Sequence, residues 1–196
     1  MSKTLFSLLI ILGSFSAAIA ANPGPDYVKV NTSASIIKWT GKKVTGEHHG
    51  TISIKEGTLQ MQKGILVGGS FTIDMNTIKD TDLNGDYAGK LEKHLKSDDF
   101  FGVETYPVAT LIILEAKPGA NNAYTIKANL TIKGITQPIE FVAIVTPDGK
   151  NYRAESKLNI DRSLFNVKYG SGKFYDDLGD KTIYDEFELN VSLVTE

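Results

Sequence analysis

Three stretches of this chain alternate apolar and polar residues with a period of two. In YTIKANLTI, residues 124–132, Tyr124, Ile126, Ala128, Leu130 and Ile132 share one face, and Thr125, Lys127, Asn129 and Thr131 share the other. In YRAESKLNI, 152–160, Tyr152, Ala154, Leu158 and Ile160 oppose Arg153, Glu155, Lys157 and Asn159. In DEFELNVSL, 185–193, Phe187, Leu189, Val191 and Leu193 oppose Glu186, Glu188, Asn190 and Ser192. Side chains of a strand point alternately to its two faces, so this pattern with one wet face marks an antiparallel sheet.

Further strands are expected at 35–43, 48–55, 58–62, 65–75, 107–115 and 139–146. Turn residues separate them: KEG at 55–57, KG at 63–64 and at 133–134, and PDGK at 147–150. The fold class is therefore all-β, with eight or nine strands in up-and-down order. Closure into a barrel removes exposed sheet edges and is favoured over a sandwich. A barrel of about eight strands either fills with side chains or holds one small ligand. Several inward positions are small (Gly68, Gly69, Ala109, Ala128, Ala143, Ala154). Patterning leaves a packed core and a ligand cavity both open.

Residues 1–20 are set apart from this domain. Lys3 supplies a positive start, LFSLLIIL at 5–12 is an apolar run, and AIA at 18–20 is a small-x-small cleavage pattern. The expectation is a signal peptide cleaved near Ala20/Ala21, a periplasmic or secreted protein, and one domain over 21–196. ANPGP at 21–25 is a short lead-in stiffened by two prolines. The chain has no cysteine, so no disulfide and no thiol nucleophile are available. A net charge of −2, one unit more negative without Lys3, argues against general nucleic-acid binding.

LEKHLKSDDFF at 91–101, with Tyr106 and Pro107 after it, resembles the H-L-x-S-x-D-F-F…Y-P segment of YceI-like proteins. LTIKGITQPIEF at 130–141 resembles their L-T-I-x-G-x-T-x-P motif, and NIDRSLFNVKY at 159–169 their I-x-R-x-x-F segment. HHGTI at 48–52 and GGSFTIDMNTI at 68–78 resemble the early hairpin. Leu91-Glu92-Lys93 stands where many members carry Arg-Asp, and Asn166 where many carry glycine. The resemblance implies a lipocalin-like antiparallel barrel with an elongated apolar tunnel, an isoprenoid or fatty chain inside, and no catalysis.

The 91–101 segment is the one helical stretch expected beyond residue 20. Ala88, Leu91 and Leu95 form a stripe, with Lys90, Lys93, His94 and Lys96 on or beside the opposite arc. So short a helix must dock on something. Ser97 is expected to cap a further turn, near Asp98 and Asp99. The helix reads as a flap at one mouth, phenylalanines inward, with Lys90, Lys93 and His94 meeting a head group, or as a surface helix with solvated lysines. Arg162 offers a bidentate fork to a carboxylate or phosphate. A structural ion pair with Asp161, Asp176 or Asp185 is its commoner use.

The expected wall of the cavity is Trp39, Phe71, Ile73, Phe100, Phe101, Leu111, Ile113, Leu130, Ile132, Phe141, Leu158, Phe165, Phe187 and Leu189. Trp39 is core or cavity wall. DTDLNGD at 80–86 opens like a calcium loop, but position 12 is Leu91, so an Asx-rich loop explains it equally well. His48 and His49 are strand neighbours on opposite faces, and a zinc site would need distant His94 and carboxylates. No metal and no cofactor beyond a bound lipid are therefore expected. No nucleophile elbow, phosphate loop or dinucleotide fingerprint appears. The expected function is a non-catalytic carrier of one apolar small molecule, with a homodimer left open and no membrane span after signal cleavage. The rivals are a periplasmic hydrolase or isomerase using His94 or Arg162 in the same cavity, and a calcium-dependent interaction module.

Overall fold

The computed structural model describes residues 24–196. The expected signal peptide and cleavage point lie outside the described residues. Nine antiparallel strands are formed: β1 (Asp26–Lys29), β2 (Ile36–Lys43), β3 (Gly46–Gln62), β4 (Ile65–Asp80), β5 (Val108–Pro118), β6 (Ala123–Ile132), β7 (Ile135–Asp148), β8 (Asn151–Asp161) and β9 (Ile183–Val194). One helix, α1 (Asp86–Lys96), lies between β4 and β5. Short 3-10 turns occupy Arg162–Phe165 and Gly179–Lys181.

The sheet closes on itself. β1 and β2 share one side of β3: β1 pairs with Thr58–Met61 and β2 with Gly46–Ile52. Pairing continues from β2 through β9, β8, β7, β6, β5 and β4, and β4 returns to the free side of β3. Nine strands thus fill eight positions of a closed barrel. Among the described residues no full edge is left unpaired, which removes the template for edge-to-edge aggregation. The tight turns obey local chemistry. Lys63 and Gly64 adopt φ of 52° and 78°, and Lys133 and Gly134 adopt 51° and 71°. Two successive positive φ values suit two-residue hairpins whose twist matches the flanking strands.

The KEG triplet at 55–57 is not a turn. It lies inside β3, which runs unbroken through the two strands expected at 48–55 and 58–62. Register against β4 shifts between Thr51 and Ser53, between Ile54 and Glu56, and between Gln60 and Met61. These bulges bend β3 around the barrel, and they break the period-two signal from which a strand is read. β1, which follows the lead-in, lies outside the strands expected from the sequence. It is four residues long with little alternation, and its place is set by β3.

Chain direction sorts the connections into two ends. The β2–β3 turn, α1, the β6–β7 turn and the long β8–β9 connection gather at one end. The β3–β4, β5–β6 and β7–β8 turns gather at the other. Met61 and Tyr124 stand near this second end, buried to 2% and 8% exposure.

Candidate ligand-binding site

Residues on the inward face of a filled barrel should be sealed from solvent. Here Phe71, Ile73, Leu111, Phe141, Phe187 and Leu189 point inward and yet are only half-buried. The reason is a cavity of about 220 Å³ that they line. For comparison, an apolar cavity of ~150 Å³ stays dry and admits a benzene ring. The lining extends from Leu59, Leu66 and Ile126 near the second end to Leu95, Phe100 and Phe101 near the helical end. Ala109, Ala143 and Ala154 contribute small side chains to it.

Thirteen of the fourteen expected wall residues stand in this lining: Trp39, Phe71, Ile73, Phe100, Phe101, Leu111, Ile113, Leu130, Ile132, Phe141, Leu158, Phe187 and Leu189. Phe165 does not. It belongs to the Arg162–Phe165 turn, where alternation assigns no face, and it is 1% exposed within solid core. The lining also takes residues that were not expected. Ile52, Ile54 and Leu59 were hidden by the β3 bulges, Ile78 lies in the unforeseen extension of β4 to Asp80, and Met75 ends the strand expected at 65–75. Leu95 enters from the apolar stripe of α1.

The mouth is built by α1 and the loop that leaves its C-terminus. Ser97 ends the helix rather than opening another turn: its amide and its Oγ both donate to the His94 carbonyl, at 3.1 and 2.8 Å. The amides of Phe101 and Val103 then return to the Leu95 and Lys96 carbonyls. This wrap turns Phe100 and Phe101 into the bore. Lys133, on the β6–β7 turn, holds them there by donating to the Asp98 and Phe100 carbonyls at 3.1 and 2.7 Å. Its partial burial holds its ammonium below the usual lysine range, against the pull of Asp98 and Asp99.

The expected head-group residues separate. Lys90 and Lys93 are exposed on α1 and are not part of the lining; Lys90 lies 5.5 Å from the Tyr87 ring centre. His94 packs edge-on against Phe100 and Tyr169, with centroids 5.0 and 4.5 Å apart, and its Nε2 is 3.6 Å from Asp99. It stiffens the mouth from outside the lining. Arg162 alone of the four lines the cavity, at 3% exposure. It donates to the carbonyls of Tyr184 (3.2 Å), Val167 (2.9 Å) and Ile183 (3.0 Å). Its Nη2 lies 3.5 Å from Asp185 Oδ1, and its guanidinium 5.7 Å from the Phe100 ring. Burial lowers its proton affinity, and Asp185 and Asp161 oppose this. Beside it, Asp161 Oδ1 caps Ser163 and Oδ2 meets Lys173 at 2.6 Å. Burial pushes the Asp161 carboxyl up, but Lys173 and Ser163 outweigh it and hold it below the usual range.

The 80–86 loop takes the Asx-rich form that the sequence also allowed. Asp80 Oδ1 accepts from the Leu83 amide (2.7 Å), and Asp82 Oδ1 from the His49 amide (2.8 Å), so both carboxylates fold the loop itself. Asp82 Oδ2 meets His48 Nδ1 at 2.9 Å. Burial raises the Asp80 carboxyl, with Asp82 adding to the effect. For Asp82 burial also acts upward, but the His49 amide, the His48 ring and Asp80 bring it down to about 2.

A closed antiparallel barrel with an apolar bore and one helix at its mouth defines a lipocalin-like binding barrel. The sequence profile of the YceI-like domain matches residues 28–195, and the chain belongs to that family. A UPF0312 protein of Yersinia enterocolitica is 33% identical over 113 residues, half of this chain and 58% of its own length. One from Photorhabdus laumondii is 33% identical over 140 residues, 64% of this chain and 67% of its own. The chain thus spans about three-fifths to two-thirds of the curated relatives it matches. Among solved structures, Burkholderia cenocepacia BcnA superposes with a TM-score of 0.69 at 23% identity, covering 85% of this chain and 99% of that one. A polyisoprenoid binding domain from Saccharophagus degradans, described as implicated in plant cell wall breakdown, gives 0.63 at 16%, covering 87% and 97%. At these identities the likeness to solved structures is one of fold.

Proposed function

We propose that this chain is a periplasmic or secreted, non-catalytic carrier that holds a long apolar molecule, an isoprenoid or fatty chain, in the barrel. The observation that carries the reading is the hollow, apolar bore. Each methylene transferred from water contributes about 0.8 kcal/mol, so a chain is held by area alone with few polar contacts. Kinship with a fold that includes a polyisoprenoid-binding domain supports this ligand class. The export pattern of residues 1–20 supports the location.

The one buried charge of the described lining, Arg162, is already committed to three carbonyls and to Asp185. Its positive charge is offset inside the mouth, which favours a neutral head such as a quinone or an amide over a phosphate. The same commitment argues against Arg162 as an acid or base. Native mass spectrometry of protein purified without detergent should show a retained apolar molecule. Ala109→Phe and Ala154→Phe, which project rings into the bore, should abolish retention while the barrel persists. An empty wild-type protein that hydrolyses ester substrates would replace the carrier by the enzyme.

A further inference from the structure

Outside the bore, the end of β4, the loop after it and the start of β3 bring three metal-ligating side chains together. His48, Asp80 and Asp82 each offer one ligand atom, and these lie within 4.8 Å of one another. Asp80 is 4% exposed, and its Oδ2 is buried without a hydrogen-bond partner. A buried carboxylate oxygen facing a second carboxylate is costly unless a positive group joins them. The His48 and Asp82 side chains keep 32% and 21% exposure, which leaves a path from solvent. We propose that His48, Asp80 and Asp82 form a site for a divalent transition-metal cation of the zinc type.

The chemistry selects that class. One imidazole nitrogen and two carboxylates suit zinc, whereas calcium takes six to eight oxygens. With metal–ligand bonds near ~2.0 Å, tetrahedral donors stand roughly 3.3 Å apart, so small side-chain adjustments bring this triad around one ion. Water completes the shell from the open side. The backbone already fixes the carboxylates, through the Leu83 and His49 amides, and the Asp80 amide donates to Glu92 Oε1 of α1 at 3.1 Å. A bound cation would therefore tie β3 and β4 to the base of the helix at the mouth of the bore. The site does not depend on the carrier reading.

Isothermal titration of zinc chloride into tag-free, chelator-treated protein tests this, with thermal unfolding alongside. One equivalent should bind, and Tm should rise with zinc concentration. His48→Ala should weaken binding at least tenfold. Asp80→Asn should do the same and still fold, because Asn keeps the acceptor for Leu83 and gains a donor to Asp82. His49→Ala, which leaves the His49 amide in place, should bind as wild type does. The proposal is overturned if wild-type protein takes up no zinc at tenfold excess, as expected were a shared proton the only bridge between the carboxyls. It is equally overturned if binding survives in both His48→Ala and Asp80→Asn, or falls as far in His49→Ala.

Discussion

Arg162 shows how one buried side chain holds a long connection in place. It reaches the carbonyls of Val167, Ile183 and Tyr184, so one guanidinium joins the turn after β8 to the start of β9. Arg162→Ala should cost about 3–5 kcal/mol in urea unfolding, because it strips three carbonyls of their donor and leaves the half-buried Asp185 with only Lys173, 4.0 Å away, as a counter-charge. Adding Asp185→Asn should recover part of that loss. Phe165→Ala should cost about 3–5 kcal/mol as well, with no change in the shape of the bore, since Phe165 stands outside its lining. Lys173 and Asp161 form a pH-sensitive clip on the same connection. The folded Asp161 carboxyl is depressed, so its contribution is present above the unfolded value, about 3.9, and is lost as pH falls through the folded one. Lys173 is raised, first by Asp161, so its contribution holds below about 10.4 and is lost as pH rises past the folded value. The stability difference between wild type and Asp161→Asn should therefore be flat across neutral pH and shrink at both extremes. Of these residues, the sequence named Arg162 and narrowed its partner to three aspartates. Choosing Asp185 required β9 to lie beside β8, a relation between residues more than twenty positions apart.

At the scale of elements, β3 carries the tightest constraint. A Cβ built on Gly50 would collide with the Lys79 carbonyl oxygen and lie 2.6 Å from the Trp39 ring. Trp39 crosses the glycine there, and its Nε1 donates to the Thr51 carbonyl at 3.2 Å. Gly50→Ala should separate β3 from β4 or displace Trp39, seen as a large drop in Tm and a changed tryptophan emission. α1 is held more lightly. No residue of it is fully buried, and its own hydrogen bonds cannot sustain eleven residues in isolation. Lys133→Met removes the two bonds that pin the loop after α1, so amide exchange over 97–106 should quicken while the strands are unaffected. The apolar stripe of α1 and the paired phenylalanines were legible as a flap, because their spacing is local. The loss of Lys90 and Lys93 from the site was not: a helix face is polar toward solvent and toward a head group alike.

For the whole molecule, the balance lies between a barrel full of side chains and one left hollow. Filling it in part, as Ala109→Phe and Ala154→Phe would, adds apolar contact but forces neighbours off their rotamers, at about 1–3 kcal/mol each. A modest stability change together with full loss of a bound chain is the expected signature of a bore rather than a core. By itself the sequence determined the strands with clean alternation, three of the four expected turns, the barrel class and which faces look inward, because each of these is written in neighbours a few residues apart. Only the tertiary structure decided that β3 is one bent strand, that β1 and β2 share a position, and that His48 meets Asp80 and Asp82. It also decided that the inward faces stop short of touching. Whether opposite walls meet depends on how far the sheet curls before it closes, and that distance is a property of all the strands together, which no single stretch encodes.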